Sequence, residues 1–377
     1  MQRTIQMVDL KTQYERIKSE IDHAVLNAIA DTAYINGPDV KAFAKELAEY
    51  NNIKHVIPCA NGTDALQIAL MALDAKPGDE VIVPTFTYIA TVEVIALLQL
   101  KPVFVDVDPD TFQMQTDGLE SLITDRTVAI VPVHLYGQCS DMETIMNVAT
   151  KHNIAVIEDT AQAIGAISTY SDGSTHFAGT MGTVGTTSFF PSKNLGCYGD
   201  GGAMYTNDDE LAAKLNMIAN HGQSRKYYHD SIGVNSRLDT LQAAILRVKL
   251  KYLDEYSIAR NIVARNYDEA FAGHPNIQPP VRCSWSTHVF HQYTLKLKNA
   301  DRDAFKEHMQ RAGVPTMVYY PLPVHLQKAY TGYGYSEGDF PIAEELCKTV
   351  VSLPIHTEMT ADDQQYIIDQ TLNFFAK

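Results

Sequence analysis

Short apolar runs alternate with amphipathic stretches through the first two-thirds of the chain. Residues 55–59 read as a short strand. Residues 63–73 read as a helix, with Leu66, Ala69, Leu70 and Leu73 on one face. Residues 80–83 read as a strand stopped by Pro84, 87–98 as a helix, and 102–107 as a strand that carries Asp106 and leads to Asp108. A short helix is expected at 119–123, a continuous apolar strand at 127–133, a helix at 142–152 and a strand at 154–157 ending on Glu158-Asp159. Residues 184–190 form another apolar, β-prone run. Alternation of this kind, with strands apolar throughout, predicts a mostly parallel sheet covered by helices on both faces. Ligands then gather at the carboxyl ends of the strands.

The pattern changes near Arg237. From there to about Phe271 it predicts one long helix or two abutting ones, with Leu238, Leu241, Ile245 and Val248 at helical spacing. Pro275, Pro279 and Pro280 then break the chain. Strands are expected at 289–297 and 316–320, and helices at 303–312, 342–350 and 361–375. The expectation is an α/β large domain over residues 1–250 and a smaller α+β domain over 251–377, linked by the helix near 237–271.

Composition narrows the function. The 377 residues are 45% hydrophobic and 20% charged, as in a globular protein with room for two domains. The formal net charge of −15 argues against nucleic acid or an anionic membrane as the main partner, although Arg225, Lys226 and Arg237 form local basic spots. The five cysteines, Cys59, Cys139, Cys197, Cys283 and Cys347, are scattered without a C-x-x-C pair, so neither a disulfide framework nor a structural metal is expected. Arg3, Asp9, Lys11 and Glu15 leave no secretory pattern at the start. The most apolar stretch, 89–105, holds Glu93 and Lys101 and is too short to span a bilayer. A cytoplasmic protein is the expectation.

The chemistry concentrates around Lys193. It follows the β-prone run and precedes a turn with Gly196, Gly199, Gly201 and Gly202. Glycine admits close approach of backbone to a ligand, and a lysine in a walled site can lose its proton and attack a carbonyl. A surface lysine in a loop is the ordinary alternative. Asp159 ends a strand, where an acid meets a ligand or caps a helix. Asn61-Gly62-Thr63 lies at a strand-to-helix turn, whose free N–H groups bind an anion, or where Asn61 or Thr63 simply caps. Tyr88 follows another strand end, placed to stack on a flat ring or to fill the core. Together these residues describe a pyridoxal phosphate (PLP) site: Lys193 for a Schiff base, Asp159 for the pyridinium nitrogen, Gly62, Thr63 and Ser188 for the phosphate, and Tyr88 over the ring.

With these motifs in order, the chain resembles the DegT/DnrJ/StrS-type nucleotide-sugar aminotransferases, PLP enzymes of the aspartate-aminotransferase-like fold (fold type I). The likeness runs over Tyr34-Ile-Asn-Gly-Pro38, Asn61 to Leu66, Pro84 to Tyr88, His134-Leu-Tyr-Gly137, Glu158 to Gln162, Ser188 to Gly202, His221-Gly222, Asn235 to Asp239 and Tyr320 to His325. The resemblance implies a sheet of the seven-stranded type. It makes Lys193 the Schiff-base lysine and proton carrier, Asp159 the pyridinium partner, Gln162 the neighbour of the cofactor's phenolic oxygen, and Thr63 and Ser188 phosphate ligands. It also implies that Asn235 serves the neighbouring subunit's phosphate, so a homodimer with shared active sites is expected. Relatives with histidine at the lysine position are dehydratases; Lys193 favours transamination, with L-glutamate as donor and PLP and its amine form, PMP, as cofactor states.

Within the family, the segments at 189–202, 221–229 and 233–246 are similar to UDP-2-acetamido-2-deoxy-3-oxo-glucuronate aminotransferases. A substrate with two phosphates and a sugar carboxylate calls for cations, and Arg225, Lys226 and Arg237 are candidates. Asn36, Tyr319, Tyr320 and His325 are further candidate substrate contacts. The family often has His-Tyr-Pro where this chain has Tyr319-Tyr-Pro321. That departure keeps enzymes acting on dTDP-3-oxo-6-deoxyhexoses in view, and transfer to C4 behind them. A PLP-binding regulatory protein is the non-enzymatic alternative. A Rossmann-type NAD enzyme is disfavoured because no G-x-G-x-x-G follows the first strand.

Overall fold

The computed structural model describes residues 5–376, so Arg3 lies outside the described residues. Helices α1 (Leu10–Ala30) and α2 (Pro38–Asn51) precede β1 (His55–Cys59). There follow α3 (Gly62–Ala72), β2 (Glu80–Pro84), α4 (Ala90–Leu97), β3 (Lys101–Val105), β4 (Thr127–Ile130), α5 (Met142–His152) and β5 (Ala155–Asp159). A hairpin of β6 (Ile167–Thr169) and β7 (Thr175–Phe177) leads to β8 (Val184–Ser188), β9 (Gly202–Thr206) and α6 (Asp209–Ala219). A second hairpin, β10 (Gln223–Arg225) with β11 (Tyr228–His229), comes before α7 (Thr240–Leu250) and α8 (Leu253–Phe271). The chain ends with β12 (Ile277–Gln278), β13 (Tyr293–Leu297), α9 (Arg302–Arg311), α10 (Pro341–Thr349), β14 (Val350–Leu353) and α11 (Ala361–Phe375).

The main sheet has seven strands in the order β1-β9-β8-β5-β4-β2-β3. β9 runs antiparallel to both neighbours and every other pairing is parallel. Side chains alternate between two cores, as the period of two requires. Val81, Val83, Ala129, Ile157 and Met204 pack with α3, α4 and α6. Ile82, Ile130 and Val156 face α5, while Ala203 and Tyr205 face α2 and α7. The sheet is therefore buried on both sides, which is why its strands read as unbroken apolar runs.

A separate core gathers the end of α8, the antiparallel sheet β12-β13-β14, α9 and α11 around Tyr267, Phe271, Tyr293 and Phe305. Another joins Phe86, Val107 and Val133, just past the ends of β2, β3 and β4, to Leu346 and Val350, and so ties the C-terminal elements to that edge of the large sheet.

The abutting-helix alternative holds at 240–271, with Lys251-Tyr252 between α7 and α8. The strand expected at 316–320 does not form. Only Met317 bridges, to Ser352, and a cis peptide joins Tyr319 to Tyr320. Pro315, Pro321 and Pro323 deprive this stretch of ladder donors. The helix expected to run through Val350 stops at Thr349, because Val350 begins a fully buried strand.

Candidate active site

The carboxyl ends of β1, β2, β5 and β8 open on one cavity of about 850 Å³. Asn61, Gly62 and Thr63 line it from the turn after β1. Asn61 Oδ1 accepts from Asp64 N–H at 2.8 Å and the Asn61 carbonyl from Ala65 N–H at 3.1 Å, so Asn61 caps α3. The N–H groups of Gly62 and Thr63 then stand at the start of the helix without intrahelical partners, with the positive end of the dipole behind them. The capping alternative holds, and it leaves these two N–H groups at the helix start for a ligand in the cavity. A Cβ at Gly62 would come 2.7 Å from the Cβ of Ser188, the last residue of β8. Glycine is what lets the helix start approach the strand end.

Asp159 ends β5 and is 6% exposed. Oδ2 accepts from Thr91 Oγ1 at 2.8 Å and Oδ1 from Ala161 N–H at 3.1 Å. No helix follows it, so its carboxylate is fixed for the cavity rather than used as a cap. Beside it, Glu158 points into the protein with no exposure. Its carboxylate accepts from Gly179, Met181 and Gly182 N–H and from His134 Nε2 at 2.5–2.9 Å. His134 Nδ1 accepts from Ser140 N–H at 3.2 Å, which leaves the Nε2 proton for Glu158. His134 N–H also donates to the Asp159 carbonyl at 3.0 Å, so this buried pair fixes the backbone that carries Asp159.

Gln162 joins two walls. Its Oε1 accepts from Tyr136 N–H at 2.8 Å, and its Nε2 donates to the Tyr320 hydroxyl at 3.1 Å. Tyr136 in turn donates its hydroxyl to the Tyr319 carbonyl. Tyr319 and Tyr320 therefore belong to the cavity wall. Tyr88 is 57% exposed at the cavity and 6.1 Å from the Tyr320 ring, so it is not a core aromatic.

Lys193 stands half-buried in the same wall, and its side-chain amine makes no hydrogen bond or ion pair among the described residues. Desolvation pulls its ammonium down to about 8, against the opposing pull of the Asp159 carboxylate. An amine so placed is partly unprotonated near neutral pH and free to react. Its loop is tightly held: Lys193 N–H donates to Phe190 O at 2.8 Å, and buried Lys249 Nζ to Gly196 O at 2.6 Å.

The structure therefore brings together Gly62, Thr63, Tyr88, Asp159, Gln162, Ser188, Lys193, Tyr319 and Tyr320. It does not bring the other candidates to this wall. Arg225 and Lys226 lie exposed on the β10–β11 hairpin, with the Arg225 guanidinium 3.7 Å over the Tyr228 ring. Asn235 is exposed in a bridge to Asn220, Arg237 is half-buried nearby, and Asn36 is exposed in a turn whose Gly37 N–H donates to Thr240 Oγ1. His325 is corrected from a substrate contact to a buried strut. It is 1% exposed, with Nδ1 2.8 Å from Thr85 Oγ1 and Nε2 3.2 Å from Glu344. Both ring nitrogens are thus engaged inside the protein. Tyr136, Phe190, Asp64, Asp200, His291 and Gln292 line the cavity without having been singled out by residue pattern.

Residues 15–372 match the DegT/DnrJ/EryC1/StrS aminotransferase family. The chain is 47% identical over 356 residues to the UDP-2-acetamido-2-deoxy-3-oxo-D-glucuronate aminotransferase of Pseudomonas aeruginosa, covering 93% of this chain and 95% of that one. It is 45% identical over 373 residues to a pleiotropic regulatory protein of Geobacillus stearothermophilus, covering 98% of each. The crystal structure of S. venezuelae DesV in complex with a ketimine intermediate superposes with a TM-score of 0.95 at 38% identity, covering all of both chains. The chain belongs to this family. It is an aminotransferase whose cofactor is PLP, and the residues at the cavity fit that group: a helix start with unpaired N–H groups, a fixed carboxylate and a free amine in one wall. Among the described residues, no helix is long and apolar enough to cross a membrane.

Proposed function

We propose that the enzyme moves the amino group of L-glutamate to the 3-oxo group of a nucleotide-linked sugar, with UDP-2-acetamido-2-deoxy-3-oxo-glucuronate as the first candidate acceptor, in bacterial surface-glycan biosynthesis. The observation that carries the reading is Lys193, a desolvated amine that shares one cavity with Asp159 and the start of α3. The likeness to the P. aeruginosa enzyme over nearly the whole chain supports the choice of acceptor.

When bound, PLP supplies an electron sink and carries the amino group between the two substrates. Gly62 and Thr63 N–H groups, with the Thr63 and Ser188 hydroxyls, would hold its phosphate. Asp159, kept in line by Thr91 and Ala161, would keep a proton on the ring nitrogen. Gln162 would serve the phenolic oxygen, and Tyr88 would offer an aromatic face to the ring. The Lys193 amine anchors the cofactor and moves a proton at the amino-bearing carbon.

The protein acts as a homodimer with shared sites in this reading. The cavity wall of one chain carries Asp64, Asp159 and Asp200 against the single ammonium of Lys193. An anionic nucleotide-sugar and a phosphate need more positive charge than that. Arg225, Lys226, Arg237 and Asn235 lie away from this wall, where a second copy can present them. Tyr319 at the wall, in place of the family's frequent histidine, favours a second reading with a dTDP-linked 3-oxo-6-deoxyhexose as acceptor.

The test is optical. The cofactor-loaded protein is expected to show a visible band that L-glutamate bleaches and the correct keto-sugar restores. Restoration by the UDP-uronate supports the first acceptor; restoration only by the dTDP sugar selects the second. A band that no amino donor moves would instead favour a regulatory, PLP-binding role. Gly62→Ala is expected to weaken PLP binding about tenfold, since the new methyl must push Ser188 away and overpacking of this kind costs ~1–3 kcal/mol. Spectrophotometric titration of cofactor-free protein measures it, and unchanged affinity would remove this turn from the phosphate site.

A further inference from the structure

The segment leading into β13 forms part of the cavity wall beside Lys193, through His291 and Gln292. It is held from both sides. Val289 O accepts from the side chain of Asn194, the residue after Lys193, at 2.9 Å, and Val289 N–H donates to Gly137 O at 2.8 Å. From behind, Arg260 of α8 donates Nη1 to Phe290 O at 3.0 Å, His291 O at 3.4 Å and Ile355 O at 3.2 Å. Arg260 is 3% exposed, forms no ion pair among the described residues, and leaves Nε without a partner. A buried cation without a carboxylate is costly. Its carbonyl cage ties the 290–291 segment to Ile355, just after β14.

His291 is the side chain so placed. It is 7% exposed, its Nδ1 has no partner, and its Nε2 has only a 3.4 Å contact with Gln292 Nε2. A buried imidazole this poorly bonded does little for the hydrogen-bond network of the fold. What it does is fill part of the cavity wall that Lys193 also lines, on a segment tied to the residue after Lys193.

We propose that His291, held by Arg260, is a positioning residue for Lys193, its ring walling the amine off from water. The proposal rests on the reading of Lys193 as the reactive amine. Burial, with Lys193 and Arg260 nearby, keeps His291 well below the usual histidine range, so no second cation forms there. Of the acids lining the cavity, Asp159 from β5 is the one that draws a proton to Lys193; Asp64 from α3 and Asp200 from the following loop line it too. Tyr136, Tyr319 and Tyr320 are pushed up by burial and stay neutral.

The test uses cofactor-free protein. Reductive methylation with formaldehyde across a pH series, read at the Lys193 peptide by mass spectrometry, gives the pH of half-labelling, expected near 8. His291→Ala and His291→Gln admit water and are expected to raise it by about one pH unit, a roughly tenfold loss of free amine at pH 8. Arg260→Gln is expected to do the same by loosening the segment. His291→Phe keeps the wall and is expected to leave the midpoint in place. A wild-type midpoint in His291→Gln and Arg260→Gln, with only the unfolding temperature lowered, would mean a purely structural role and overturn the proposal. A midpoint raised in His291→Phe as much as in His291→Gln would overturn the wall. If His291→Ala does not fold, the Gln and Phe variants decide. Failure of the underlying reading would show separately, as amine transfer surviving in Lys193→Ala.

Discussion

Lys193→Ala is expected to lower amine transfer by at least about 10³-fold, the scale on which a positioned acid–base group contributes. The other cavity-lining side chains described above offer an imidazole, hydroxyls, amides and carboxylates, but no second amine. Nothing nearby can replace both the anchor and the proton carrier. Lys193→Arg sharpens the test, because arginine keeps the positive charge yet does not deprotonate in this range. Equal loss in both variants identifies the free amine as the working group. Single-turnover transfer from L-glutamate measures it. Ordinary rates in Lys193→Ala would end the aminotransferase reading of this site, and full rates in Lys193→Arg would mean that charge alone suffices.

Glu158→Ala is expected to destabilise the protein by about 3–5 kcal/mol, since several donors lose their acceptor at once and each buried one left unpaired costs ~1–3 kcal/mol. The carboxylate receives four donors, and its removal leaves without an acceptor the fully buried Nε2 proton of His134, the buried Gly179 N–H and the partly buried N–H groups of Met181 and Gly182. Glu158→Gln keeps the size but not the chemistry. Each carboxylate oxygen accepts two donors, so an amide NH₂ in either orientation faces two N–H groups. It is therefore expected to destabilise as well, by a margin that a merely space-filling role would not produce. The urea unfolding midpoint tests both variants. A midpoint within error of the wild type in Glu158→Gln would show that the 179–182 loop finds other acceptors. Because His134 N–H also holds the Asp159 carbonyl, cofactor binding should weaken along with stability.

Residue periodicity located much of the large sheet. Residues 55–59 and 142–152 were bounded correctly because a strand or helix with one consistently buried face advertises it within a few residues. β9 passed unnoticed: Gly202–Thr206 is a short, glycine-led run whose alternation of Ala203 and Tyr205 against Met204 gains meaning only between β1 and β8. α1 was missed for a related reason. Its buried positions Gln13, Ile17, Ile21 and Ala28 leave a sparse stripe on a mostly polar helix. Val350 was read as helical because β14 follows α10 without a break, and only pairing with β13 makes it a strand.

The sequence by itself determined the layered α/β class and the residues at the strand ends that meet at the cavity, Gly62, Thr63, Tyr88, Asp159, Ser188 and Lys193. These sit in or beside local elements whose geometry is fixed by their neighbours in the chain. The tertiary structure alone decided which distant polar groups reach that cavity. His325 turned inward to Thr85 and Glu344, and Arg225 and Lys226 stayed on an outer hairpin. His291, with no motif to mark it, was brought to the cavity that Lys193 lines by a segment that Arg260 and Asn194 hold. Local periodicity records which face of an element is buried; it does not record which polar side chain, a hundred residues away, the packing will bring to that face.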